Sequence, residues 1–186
     1  MALRGTSGFT LIELAITLVI LGILTALGLP VFTDWINNTK IRTAAEGIAN
    51  GVQLARAEAV RQNLKVQFVL DGTSGPSAWT VSSVSSTGVL TQVQQRTNEG
   101  SGNAIVGVLP SGATTVTYSG IGVITPNGDT TPSLTQIDVC SSAAMLSGNM
   151  RKMRITIGTG GNVKMCDPQA AATDPRGCPV VSPSQC

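Results

Sequence analysis

Between Phe9 and Leu29 the chain carries one ionisable side chain, Glu13, inside an apolar run that holds no Lys, Arg or Asp. A helix of roughly 21 residues at ~1.5 Å per residue spans about 31 Å, the thickness of a bilayer's hydrocarbon core. A carboxylate within such a span costs about 2.5–3.5 kcal/mol and needs a partner or a purpose. The run itself supplies no cation. The nearest one is a new α-amine, which exists only if the chain is cut after Gly8.

The residues ahead of the run, Met1 to Gly8, are small or polar apart from one base, Arg4. A secretory signal peptide fits that start, and Ala26-Leu27-Gly28 imitates its small-x-small cleavage site. Glu13 in the middle of the apolar stretch argues against it. A plain single-span anchor accounts for the length and leaves the carboxylate without a reason. A third reading accounts for both. Gly8-Phe9-Thr10-Leu11-Ile12-Glu13 followed by an apolar helix resembles the processing site of type IV pilins and type II secretion pseudopilins. Pro30 stands where pilins commonly carry a helix-kinking proline.

The resemblance implies cleavage by prepilin peptidase between Gly8 and Phe9, N-methylation of Phe9, and a role for Glu13 in assembly. The physics agrees with it. An α-amine of pKa near 7.7–8.0 is largely protonated at neutral pH. In a filament, Glu13 of one subunit can meet the Phe9 amine of its neighbour, so that neither charge is stranded in an apolar bundle. The start of a helix also favours a negative charge.

Composition narrows the rest. A chain of 186 residues suits one membrane-anchored domain with about 120 residues of globular part. Net charge is +2, and removing Arg4 with the leader brings it close to balance, so no global attraction for a polyanion remains. Charged residues are 12% of the chain and histidine is absent, which excludes Ser-His and Cys-His dyads and histidine metal sites. No enzyme and no cofactor is expected. Asn127-Gly128-Asp129 offers too few oxygens for Ca²⁺. Gly158-Thr159-Gly160-Gly161 lacks the helix and lysine of a phosphate loop.

The four cysteines, Cys140, Cys166, Cys178 and Cys186, contain no C-x-x-C, and an even number in an exported domain favours disulfides over a metal. The preferred pairing is Cys166–Cys178, closing a short loop, with Cys140–Cys186 tying down the tail. Cys140–Cys166 is the rival, since both residues fall at predicted strand ends.

After Pro30, Ile41, Ala45, Ile48, Val52, Ala55 and Ala59 recur at steps of four and three, one stripe of an amphipathic helix that Asn63 can stop. From Phe9 to Asn63 that helix runs on the order of 80 Å if continuous. Gly47 and Gly51 weaken it and permit close backbone approach. The pattern then becomes strand-like over Lys65–Leu70, Trp79–Val84, Val89–Gln94, Ala104–Leu109, Thr114–Tyr118, Gly122–Ile124, Leu134–Val139, Met153–Ile157 and Val163–Cys166. Gly72–Ser77, Asn98–Asn103 and Pro126–Pro132 read as loops, and Gly158–Gly161 as a hairpin turn.

The expected fold is α+β and pilin-like: a long N-terminal helix, membrane-spanning in its first half, packed on a C-terminal antiparallel β-sheet domain. Its parts are a cleaved leader (1–8), a transmembrane and filament-core helix (9–32) and the amphipathic second half of that helix (33–63). A β-rich globular domain (64–166) and a disulfide-tethered tail (167–186) follow. Phe32 and Trp35 fall just past the apolar span, where aromatics mark a membrane interface.

A second resemblance refines the first. Leu54-Ala55-Arg56-Ala57-Glu58-Ala59-Val60-Arg61, Tyr118-Ser119-Gly120-Ile121-Gly122, Arg154-Ile155-Thr156-Ile157 and Val163-Lys164-Met165-Cys166-Asp167-Pro168 look like the FimT/GspH group of minor pilins and minor pseudopilins. That group implies a filament subunit whose partners are prepilin peptidase, other pilins or pseudopilins, inner-membrane lipid and an inner-membrane assembly platform. It also implies a periplasmic domain in a bacterium. Some members bind DNA through a Gly-Arg-x-Arg motif on the C-terminal hairpin, and DNA is the alternative partner. The matching stretch here is Gly161-Asn162-Val163-Lys164, which keeps one positive charge and loses the planar guanidinium fork. Arg151, Lys152, Arg154, Lys164 and Arg176 are the candidate phosphate contacts. Trp79 and Tyr118 alone make no stacking platform.

Overall fold

The computed structural model describes residues 9–72, 78–97, 104–141, 151–171 and 173–178. Among them, one helix, α1 (Leu11–Gln62), precedes β1 (Lys65–Leu70), β2 (Trp79–Val84), β3 (Leu90–Arg96), β4 (Ala104–Leu109), β5 (Thr115–Tyr118), β6 (Ile124–Thr125), β7 (Gln136–Ser141), β8 (Met153–Ile157) and β9 (Val163–Cys166). The chain divides into two compact units, Met1–Ile36 and Asn37–Cys186.

In the first unit every large apolar side chain from Phe9 to Leu29 is exposed. No described residue covers them, so this segment needs lipid or other helices as its surroundings. It lies in the one described helix long and apolar enough to cross a membrane. The helical backbone continues through Pro30, although that residue has no N–H to donate to the preceding turn. Phe32 and Trp35 are exposed and stack, with ring centroids 6.0 Å apart.

In the second unit α1 contributes the expected stripe to the core. Ile41, Ala45, Ile48, Val52, Ala55 and Ala59 are buried, joined by Ala44 and Ala49. Small residues let the helix lie close to the sheets. Gly51 is the tightest point, because a Cβ there would sit 2.8 Å from the Trp79 ring and 2.9 Å from Phe68. The helix stops at a Schellman motif. Asn63 takes a left-handed φ of 52°, its N–H donates to Val60 O, and Leu64 N–H donates to Ala59 O.

Two antiparallel sheets face this stripe, in the orders β3-β2-β1-β5-β6 and β4-β7-β8-β9. Alternate residues supply the core: Val66, Phe68 and Leu70 from β1, Val106 and Val108 from β4, Ile137 and Val139 from β7. Phe68 sits opposite both Val81 and Val116, which places large side chains side by side.

Four expected strands shift, β5 only by starting at Thr115 in place of Thr114. Gly122 belongs to a turn (φ 78°), with its N–H donating to Ser119 O, so β6 begins only at Ile124. Val89 closes the β2–β3 turn through its N–H to Ser85 Oγ, and β3 extends to Arg96 instead. Leu134 is buried between the sheets, its N–H on Thr115 O and that of Thr135 on Leu109 O, so β7 starts at Gln136. The Pro126–Pro132 loop is braced from within, since the buried Asn127 amide donates to Thr115 O and Thr131 O. The loop expected at Asn98–Asn103, and all of Gly72–Ser77 but Gly72, lie outside the described residues.

Candidate functional site

The first turn of α1 is capped by its own sequence. Thr10 precedes the helix, its Oγ1 accepting the Glu13 N–H at 3.3 Å while its carbonyl accepts from Leu14 N at 3.2 Å. Thr10 is thus the N-cap and Glu13 the third helical residue, the T-x-x-E spacing of a capping box. This fixes Glu13 in the opening turn, where the unpaired N–H groups of the helix favour a carboxylate. Apart from Thr10 and Thr17, the side chains around it are apolar, and all of them are exposed. Gly8, on the other side of the expected cleavage, lies outside the described residues.

The five expected phosphate contacts do not form one surface. Arg154 is a correction. It stands mid-strand in β8 between β7 and β9, opposite Asp138, and the two side chains are 2% and 0% exposed. Arg154 Nε donates to Asp138 Oδ1 at 2.7 Å and Nη2 to Oδ2 at 3.0 Å, and Gln136 donates to Oδ2 as well. A guanidinium so enclosed reaches no external phosphate. Arg151 pairs with Asp167 at 3.4 Å, and Arg176 with Asp174 through a two-pronged contact of 3.1 and 2.8 Å. That contact holds the partly exposed Asp174 carboxyl down to about 2. Lys152 leaves its backbone N–H on Gln169 Oε1. Lys164 is exposed on β9 and makes no ion pair among the described residues.

The Gly158–Gly161 turn forms as expected, with Gly161 N–H on Gly158 O and Gly158 N–H on Asn162 O. Gly161 has a structural reason to be glycine. Its φ is +80°, and a Cβ would run into Gly122 O, Tyr118 and Arg56. Arg56 donates Nε to Gly122 O at 2.9 Å and ties the helix to the β5–β6 turn. A groove lined by Gln53, Arg56, Val60, Arg61 and Asn162 runs beside it.

Cys166 and Cys178 form a disulfide with Cα atoms 5.1 Å apart. Cys140 is disulfide-bonded too. Its expected partner, Cys186, lies outside the described residues. No group of three or more His, Cys, Asp or Glu capable of holding a metal occurs among the described residues.

A capped apolar helix start followed by a helix packed on antiparallel sheets defines the pilin-like class of proteins. The family model described as type II transport protein GspH matches residues 44–172, and that of the prokaryotic N-terminal methylation motif matches residues 3–29. The chain belongs to the GspH family. It is a minor pilin or pseudopilin, a structural subunit and not an enzyme, and its motif makes it a substrate for prepilin peptidase. The type IV minor pilin FimU of Pseudomonas aeruginosa superposes with a TM-score of 0.54 at 15% identity, over 71% of this chain and 95% of that one. The minor pseudopilin EpsH of the Vibrio cholerae type 2 secretion system gives 0.51 at 13% identity, over 70% and 99%. At such identities the likeness is one of fold. No curated protein matches the sequence at a significant level.

Proposed function

We propose that the chain is held in the bacterial inner membrane by residues 9–32, with its β-domain in the periplasm. Prepilin peptidase cuts it between Gly8 and Phe9, and Phe9 is N-methylated. An inner-membrane assembly platform then moves the subunit from lipid into a type IV pilus or type II secretion pseudopilus. There Glu13 meets the Phe9 amine of an adjacent subunit. The carrying observation is a carboxylate in the capped first turn of a helix whose large apolar side chains up to Leu29 are all uncovered. DNA as a partner loses Arg154 to the interior and the charges of Arg151 and Arg176 to Asp167 and Asp174.

Mass spectrometry of the membrane-extracted protein tests the first step. The expected mass lacks Met1–Gly8 and carries one added methyl group. An intact leader in cells with active peptidase overturns the reading.

A further inference from the structure

Phe32 and Trp35 are one helical turn apart on α1, which puts their rings on the same side of the helix. The rings stack with their planes inclined by 27°. Both side chains are more than half exposed, and neither joins the apolar core of the second unit. Paired aromatic surface left open in this way calls for surroundings outside the chain.

The place of the pair along the helix says what those surroundings are. It closes the uncovered apolar span, and Asp34, between the two rings in sequence, is the first ionisable residue after Glu13. A carboxylate is tolerated beside hydrocarbon only where its head can reach the headgroup layer, so the apolar medium ends at this turn. Tryptophan and other broad rings prefer that layer to both water and acyl chains. From Leu11 to Phe32 the helix is unbroken, and its length of about 32 Å at ~1.5 Å per residue nearly equals the ~30 Å of hydrocarbon in a bilayer. One end of that length is the aromatic pair. The other is the Thr10 cap, next to Phe9 and the expected cut. So close a match leaves little room for tilt, and a shift in depth at one end becomes a shift at the other.

We propose that Phe32 and Trp35 dock together in the headgroup layer of the inner membrane, on the side of the β-domain. Acting as a ruler, they set the depth at which the Gly8–Phe9 bond is presented to prepilin peptidase at the opposite face. The pair is a positioning element and has no contact with the bond that is cut. The proposal rests on the reading of residues 9–32 as a membrane span.

Two measurements on the full-length chain test it. In vesicles of phosphatidylcholine and phosphatidylglycerol, tryptophan fluorescence is quenched by lipids carrying a spin label at the headgroup or bromine deep in the acyl chain. The chain has two tryptophans, and Trp79 is buried in the β-domain core, so Trp35→Phe supplies the baseline. Quenching of Trp35 from the headgroup should exceed that from the bilayer centre by about three- to fivefold. In cells with active peptidase, pulse-labelling then follows removal of the leader. Phe32→Leu combined with Trp35→Leu keeps an apolar helix without interfacial rings, and should slow cleavage about two- to fivefold, because a mismatch of a few ångströms is only mildly unfavourable. Phe32→Tyr combined with Trp35→Tyr retains rings that favour the interface and should be cleaved at the natural rate. Leucine and tyrosine pairs cleaved at one common rate, natural or slow, overturn the proposal. So does quenching of Trp35 that is equal at both depths or strongest at the centre. A leucine pair cleaved normally but lost from filaments overturns it too, and makes the rings a contact between subunits. A chain that does not float with the vesicles refutes the membrane reading itself, and flotation thereby separates that failure from the others.

Discussion

Arg154 and Asp138 are a buried ion pair whose value lies in being complete. Taking two charges out of water is expensive, and the two-pronged contact with help from Gln136 offsets that cost. Removing one partner leaves the other charge enclosed. Asp138→Asn is therefore expected to lower stability by about 3–5 kcal/mol, measured by denaturant unfolding of the detergent-solubilised protein. An apolar pair of similar volume at both positions should cost far less. Little of this was legible in the sequence, because arginine is ordinarily exposed and position 154 differs from 151 or 176 only in its place within a strand. Tyr118, the single tyrosine, supplies a second test. Burial pushes its phenol from 10.0 up to about 12, with Arg56 pulling the other way. A folded pKa above the unfolded one contributes stability below pH 10, and that contribution is lost as pH rises from 10 through 12. Tyrosinate absorbance should rise near pH 12 in the folded protein and near pH 10 in denaturant. Equal midpoints in both conditions would show the hydroxyl to be solvated.

At the scale of elements, α1 gathers the signals that local sequence carries well. The stripe from Ile41 to Ala59 is a matter of period, and Asn63 stops the helix with its own backbone, so both could be read without a structure. The Thr10–Glu13 cap is equally local, a T-x-x-E spacing in which one carboxylate is both the lone charge of the apolar run and the third helical residue. The starts of β3 and β6 moved because local turns claim Val89 and Gly122 for Ser85 and Ser119, whereas β7 moved because hydrogen bonds to distant residues set it, and a one-dimensional pattern holds no record of Leu134 reaching Thr115. Gly51 shows two local effects in opposition. Replacing it by alanine gains about 1 kcal/mol of helix propensity, yet the new Cβ would lie under 3 Å from two aromatic rings already packed in the core. Overpacking costs about 1–3 kcal/mol and more where rigid rings cannot yield. Gly51→Ala is thus expected to lower the thermal midpoint, with loss of near-ultraviolet Trp signal. A raised midpoint would mean that the helix can move away from Trp79.

For the molecule as a whole, the two units make opposite demands on their surroundings. The second buries its apolar side chains and is stabilised by its own core. The first exposes all of its large ones from Phe9 to Leu29 and depends on whatever apolar medium encloses it. In the proposed assembly route lipid serves that need first and the helices of adjacent subunits serve it afterwards, so the apolar side chains would discriminate weakly between the two states. Glu13 discriminates strongly. In lipid it is a liability of about 2.5–3.5 kcal/mol, whereas in the proposed filament it would complete a pair with a neighbour's Phe9 amine. Glu13→Val removes the liability and should leave membrane insertion intact or improved. The same change strands the neighbouring amine within the bundle and should reduce incorporation into filaments by tenfold or more, on the order of the 1.4 kcal/mol that a tenfold change represents. Fractionation of membranes and sheared filaments, with the cleaved chain quantified in each, measures both halves at once. Normal filament levels of the cleaved valine variant would remove the carboxylate from the assembly step. A fall in both fractions would point instead to the helix start, where Glu13 follows the Thr10 cap, and Glu13→Gln then separates the two, since it keeps the capping spacing and lacks the charge.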